Sequence, residues 1–176
     1  MNRRSAFLST KFAFLLLLIA AVVICTAIPM VLADKKSRMA TTSMNDRLLD
    51  EINDLRKSKG LKELTIDSTL TTIADTRSTE ASKKWSHERP NGEQGTEMIS
   101  SDLWRGENLS CVTYPGYKGS EKDQEKAADT MFDNLVASPA HYDNMVFKNY
   151  TKIGISSELT ETSDGTKITV AYMFSN

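Results

Sequence analysis

Helical spacing of apolar residues in the first part of the chain and strand-type alternation at its end predict an α+β fold, with helices packed on a small antiparallel sheet. A glycine-punctuated segment separates the two patterns. The length of 176 residues, 40% of them hydrophobic and 26% charged, suits one globular domain.

The first 33 residues stand apart from that domain. Arg3, Arg4 and Lys11 precede an apolar run from Phe12 to Ala33, and Val31-Leu32-Ala33 comes directly before Asp34-Lys35-Lys36. A basic start, an apolar middle and a small-residue end form the pattern of a secretory signal cleaved after Ala33. An uncleaved anchor is the rival, since roughly 20 apolar residues span a bilayer; Pro29 and the Val-Leu-Ala ending favour cleavage. Residues 34–42 are polar and read as a disordered linker, which leaves 43–176 as the domain. Cleavage would take three of the 22 basic residues and none of the 23 acidic ones, leaving 19 against 23 and a net charge near −4. That balance gives nucleic acid no electrostatic footprint. Cys25 would leave with the signal, so Cys111 stands alone and the core must hold without a disulfide. Val22-Val23-Ile24 lacks the small residues expected before a lipidated Cys25, which speaks against a lipoprotein.

Within the domain, Ser43 can cap a first helix whose stripe is Met44, Leu48, Ile52 and Leu55, closed by Gly60. A second helix starts near Asp67 or Ser68 and carries Leu70, Ile73, Ala74, Ala81 and Trp85 on one face. Arg77 falls on the same face and calls for backbone carbonyls or an acid to satisfy its guanidinium. From Ser86 to Ser120, Asn91-Gly92, Gly95, Gly106, Pro115-Gly116 and Gly119 mark loops, with one apolar patch, Leu109 to Tyr114, as a strand. Lys122 to Ala137 forms a third helix through Ala128, Met131, Phe132 and Leu135. Ile153 and Ile155, a turn at Asp164-Gly165, then Ile168, Val170, Tyr172 and Phe174 read as a β-hairpin.

The chain has two histidines. Ser138-Pro139 reads as N-cap and N1 of a short helix, so His141 sits near N3. There the helix dipole disfavours imidazolium and keeps the ring neutral, able to bind a metal or accept a proton. His87 lies in a loop just past the second helix, free to reach the same cleft.

Ser-His-Glu-Arg-Pro-Asn-Gly around His87, Gly-Glu-Asn-Leu at Gly106 to Leu109, Ser-Pro-Ala-His ending at His141, and Lys-Ile-Gly-Ile at Lys152 to Ile155 form four motifs in order. Together they resemble the CAP superfamily of cysteine-rich secretory, antigen 5 and pathogenesis-related proteins, in its short, cysteine-poor bacterial form. The likeness runs from about Asn45 to Phe174. It implies an α-β-α sandwich with a central antiparallel sheet and a cleft lined by His87, His141 and Glu107. Many members of the superfamily also carry a second cleft glutamate on the helix before the second histidine. That helix has no glutamate after Lys126 here, and Asp133 could replace it only in the right register.

Two histidines and a carboxylate match a three-ligand zinc site with an open position for water, with His87 and His141 as the metal ligands. Glu107 could alternatively serve acid/base catalysis without metal, or the three side chains could simply hydrogen-bond the cleft floor. No His-Glu-x-x-His or Gly-x-Ser-x-Gly motif is present. Cys111, close to Asn108, reads as a buried structural cysteine ahead of a Cys-His pair. The sequons at Asn108 and Asn149 are expected by chance. Tyr114, Tyr117 and Tyr142 with Trp104 are either packing residues or the lining of a groove for sugar or lipid. The functional expectation is a secreted, monomeric CAP-domain protein at or near the cell surface, using His87, Glu107 and His141 to bind a lipid, glycan or peptide. A metal-dependent hydrolase acting on peptide or cell-wall substrates is the alternative, disfavoured by the missing second acid. An adhesin held by an uncleaved N-terminal helix is the third reading.

Overall fold

The computed structural model describes residues 44–176. The expected signal, the linker and the Ser43 cap lie outside the described residues. Helix α1 covers residues 44–58. Met44, Leu48 and Ile52 on it are fully buried, as their spacing predicts, and Gly60 ends the following turn at φ 70°. Strand β1 (Thr65–Ile66) leads into α2 (Ser68–Lys83), capped by Asp67, whose Oδ1 accepts the N–H groups of Thr69 and Leu70. Helix α2 stops before Trp85, which is 56% exposed and not on the buried stripe. The reason lies in Arg77, which hydrogen-bonds the carbonyls of Ser86 and His87 and so draws the chain out of the helix.

The segment read as loops contains more order than its glycines suggest. One 3-10 turn forms at Gly95–Met98, and β2 (Arg105–Tyr114) begins at Arg105 instead of Leu109. Helix α3 (Glu121–Ala137) is opened by a reciprocal capping pair, Ser120 and Asp123. Ser138 then ends α3 and starts α4 (Pro139–Met145), with Pro139 at its first position. Strands β3 (Lys152–Thr162) and β4 (Gly165–Ser175) form the hairpin. Its turn falls at Ser163-Asp164, and Gly165 opens β4 at φ 131°, where a side chain would collide with the Tyr114 carbonyl and Pro115.

The sheet order is β1-β3-β4-β2, parallel only between β1 and β3. Alternation along each strand sorts the core into two layers. Ile168, Val170, Tyr172 and Phe174, with Ile153 and Ile155, face α1, α3 and α4 through Leu48, Ile52, Met131 and Met145. Ala171, Met173 and Leu109 face α2 through Leu70, Ile73, Ala74 and Ala81. The result is an α-β-α sandwich. Gly154 marks the tightest crossing, because a Cβ there would overlap the backbone of Leu70 and Thr71 in α2. Cys111 is exposed, against the expectation of a buried cysteine. It shares the face of Leu109, and the cover that α2 gives β2 ends at Leu109. Among the described residues no helix is long and apolar enough to cross a membrane.

Apolar spacing does not reveal Arg56. This residue of α1 is fully buried, with no carboxylate beside it. Its Nε donates to the carbonyl of Lys62, and its terminal nitrogens donate to those of Met145, Phe147 and Tyr150. Burial pushes its pKa below the ordinary guanidinium value. Three of these bonds fasten the end of α4 and the loop after it, and thereby set where α4 meets β2, while the fourth ties them to the turn after α1. Replacing Arg56 with Met orphans buried carbonyls and should destabilise the fold by roughly 3 kcal/mol or more, read as a lower urea midpoint. A midpoint within error of wild type would show that these carbonyls find water.

Candidate functional site

The site forms at the edge of the sheet, because β2 pairs only with β4. Three consecutive residues of β2 connect it to both helical layers. Glu107 points toward α2. Its Oε2 accepts from Arg77 Nε at 2.9 Å, and its Oε1 lies 2.7 Å from His87 Nδ1 and 3.3 Å from Arg77 Nη2. Asn108 points the other way, and its amide donates to the His141 carbonyl at 2.9 Å. Gly106 leaves room for the Tyr150 hydroxyl and Asn144, which a Cβ would displace. Asn144 of α4 then donates to the Glu107 carbonyl and to Asn108 Oδ1. Each residue of Gly106-Glu107-Asn108 therefore answers a separate packing demand.

Arg77 is the residue on which this arrangement turns. It is fully buried and also bonds Glu80, which Arg89 grips from the loop at 3.0 Å. Burial works against the charge of Arg77, but Glu107 and Glu80 outweigh it and hold its pKa above the ordinary value. Burial likewise opposes ionisation of Glu80, and Arg89 and Arg77 overcome it and hold its pKa below the usual carboxylate range. The loop that carries His87 is fixed at both ends. Arg77 holds its first carbonyls, and Gly95 N–H donates to the His87 carbonyl at 2.9 Å. Gly95 must be glycine, since a Cβ would overlap Glu107 Oε2 and Arg77 Nε. Glu107 thus bonds the Arg77 and His87 side chains on the cleft floor.

A cavity of about 300 Å³ opens beside these groups, walled by His87, Gln94, Gly95, Thr96, Arg105, Gly106, Glu107 and Asn144. The His87 side chain is 54% exposed, and with Nδ1 on Glu107 its Nε2 is the ring nitrogen left for a ligand. His141 is half-buried at N3 of α4 as predicted, but it is not part of the cavity wall. Its pKa is held below the ordinary value by burial first and by the electrostatic influence of the nearby His87 second. The expected direction is right, and the cause is desolvation. Asp133 is exposed and away from the cavity, so it does not supply a second acid.

The three-donor zinc set does not form. Both Glu107 oxygens are committed to Arg77 and His87, and among the described residues no three His, Cys, Asp or Glu side chains are grouped as a metal ion requires. Of the two imidazoles, that of His87 is the one in the cavity wall. The aromatic groove does not form as one surface either. Tyr114 stacks edge-on with Tyr117 under Lys126 at one end of β2, whereas Trp104 leans on Phe147 at the other. A ten-residue strand, about 30 Å, separates them.

A layered sandwich with a histidine–carboxylate cleft at its sheet edge defines the class of protein. The chain belongs to the cysteine-rich secretory protein family, CAP, whose profile matches residues 49–173. Solved structures share the fold. An outer surface protein of Borrelia burgdorferi aligns with a TM-score of 0.54 at 21% identity, over 73% of this chain and 89% of its own. An extracellular SCP-domain protein of Bacillus anthracis aligns with a TM-score of 0.54 at 16% identity, over 76% of this chain and 40% of its own. NaASP2, solved with Zn2+, aligns with a TM-score of 0.51 at 17% identity, over 74% of this chain and 78% of its own. This chain thus spans well under half of the Bacillus protein. No curated protein matches the sequence.

Because the folded-state pKa of His141 is depressed, the unfolded chain binds its proton more readily. Its contribution to stability is therefore present above the ordinary value of 6.5 and is lost as pH falls toward the depressed folded-state value. NMR titration should place the His141 midpoint below 6.5, and His87→Ala should raise it by removing the secondary cause. A His141 midpoint at or above the ordinary value would contradict the burial assigned to the ring.

Proposed function

We propose that this protein is an exported binding module that takes a polar small or extended ligand, a peptide or a glycan, into the cleft beside His87. The observation that carries this reading is the commitment of Glu107. With both oxygens held by Arg77 and His87, the carboxylate orients the imidazole and is not free to exchange a proton with a substrate. Rigid positioning of one imidazole with no second acid beside it serves recognition better than hydrolysis. The cavity wall carries no large apolar side chain, which favours amide- or hydroxyl-rich ligands over lipid tails. Export and a cell-surface setting are supported by the signal-like first 33 residues and by the outer-surface and extracellular descriptions of the Borrelia and Bacillus proteins. Zinc is not part of this reading. NaASP2 was solved with it, but two imidazoles without a third donor would hold the ion weakly.

Chemical-shift mapping of the full chain against a panel of short peptides and oligosaccharides tests the reading. Binders should shift His87, Gln94, Thr96, Gly106 and Asn144, lose affinity in His87→Ala, and be recovered uncleaved. Shifts confined to residues outside the cavity wall, or hydrolysis abolished by His87→Ala, would contradict it.

A further inference from the structure

The charges in the cleft wall do not cancel. Glu107 is matched by the buried Arg77, a pair that contributes no net charge to a ligand. Arg105 is the remaining full charge. It sits two residues before Glu107 on β2 and hence on the same face, and it is one of the residues that line the cavity. Among the described residues it has no carboxylate within ion-pair distance, and its hydrogen bond is a long one, 3.4 Å from Nη1 to the Ile99 carbonyl. An arginine that served only packing or surface solubility would need no place in a cavity wall. The other walls are neutral and polar: the amides of Gln94 and Asn144, the hydroxyl of Thr96 and the glycine backbone at 95 and 106.

Resting on the binding reading above, we infer that Arg105 makes the cleft selective for a ligand carrying a carboxylate, held by the guanidinium beside His87. A carboxylate fits the planar fork of an arginine through two parallel hydrogen bonds. A single unpaired guanidinium balances one negative charge. A phosphate, at about −1.5 to −2 near neutral pH, would leave excess negative charge next to Glu107. The cavity of about 300 Å³ equals about ten waters, room for a terminal residue and its carboxylate but not for a long acyl chain. The carboxylate can come from a peptide terminus or from a sugar acid, and the two are separated by experiment.

Four probes are titrated into the isotope-labelled full chain: acetyl-dialanine, acetyl-dialanine amide, glucuronate and inorganic phosphate. The expected result is saturable shifts at His87, Thr96 and Gly106 with at least one carboxylate probe, about tenfold or more weaker binding of the amide, and no saturation with phosphate. Whichever of acetyl-dialanine and glucuronate binds more tightly names the source. Arg105→Gln should abolish the preference for acid over amide, Arg105→Lys should restore part of it, and the remote Lys57→Gln should leave it unchanged. Because Arg105 is exposed, its variants should melt as wild type does. Equal binding of acid and amide, tighter binding of phosphate, or an unchanged preference in Arg105→Gln would overturn the inference while leaving the binding cleft intact. No cleft shifts with any probe would overturn both.

Discussion

A single buried guanidinium organises this domain's functional edge. Arg77 leaves water entirely, at a desolvation cost of several kcal/mol for a lone ion, and offsets it with bonds to two carboxylates and two backbone carbonyls. Those four partners come from α2, from the loop after it and from β2. Satisfying the charge therefore dictates that the loop leaves the helix at Lys84 and that Glu107 faces α2. It also dictates that His87, bonded to the same carboxylate, stands at the cavity mouth.

The opposite wall follows the same physics with a different arginine. Among the described residues Arg56 has no acid to meet, and it instead gathers the last carbonyl of α4 at 145 and those of irregular chain at 62, 147 and 150. With Cys111 exposed and unpaired, no disulfide staples the described loops, and two guanidinium groups hold segments that hydrogen-bonded secondary structure leaves loose. The cleft opens where these two fixed systems approach, bridged by Asn108 and Asn144. A site held this way is preformed, so ordering costs on binding are small.

What the sequence discloses depends on whether apolar burial alone decides an element. Helices α1 and α3 and the closing hairpin bury stripes of Met, Leu, Ile and Phe, and their spacing is enough. The first half of β2 is invisible to that logic, because Gly106, Glu107 and Asn108 are chosen by partners in two layers and not by alternation of hydrophobicity. The Gly-Glu-Asn motif supplies Glu107 only through its family likeness, whereas His87 stands out as one of two histidines in the chain. The same likeness is silent on Arg105 and on Arg77 as the partner of Glu107. The buried Cys111 and the Trp85 stripe fail for one reason. Each assumes a neighbour across the sheet or along the helix, and that neighbour is known only when α2 is seen to end at Lys83 and to cover β2 no further than Leu109. The single aromatic groove fails for another, since Tyr114 and Trp104 flank opposite ends of β2.

The most direct measurement is a double-mutant cycle between Arg77 and Glu107 by urea denaturation, using Arg77→Met, Glu107→Leu and the pair. If the two charges form one buried unit, Arg77→Met strands Glu107 and costs about 3–5 kcal/mol, and Glu107→Leu costs less, because Arg77 keeps Glu80 and two carbonyls. The double change then costs much less than their sum, with a coupling of about 2 kcal/mol or more. Additive single effects would mean that Arg77 and Glu107 are held independently, and that the cleft is not built on their pairing.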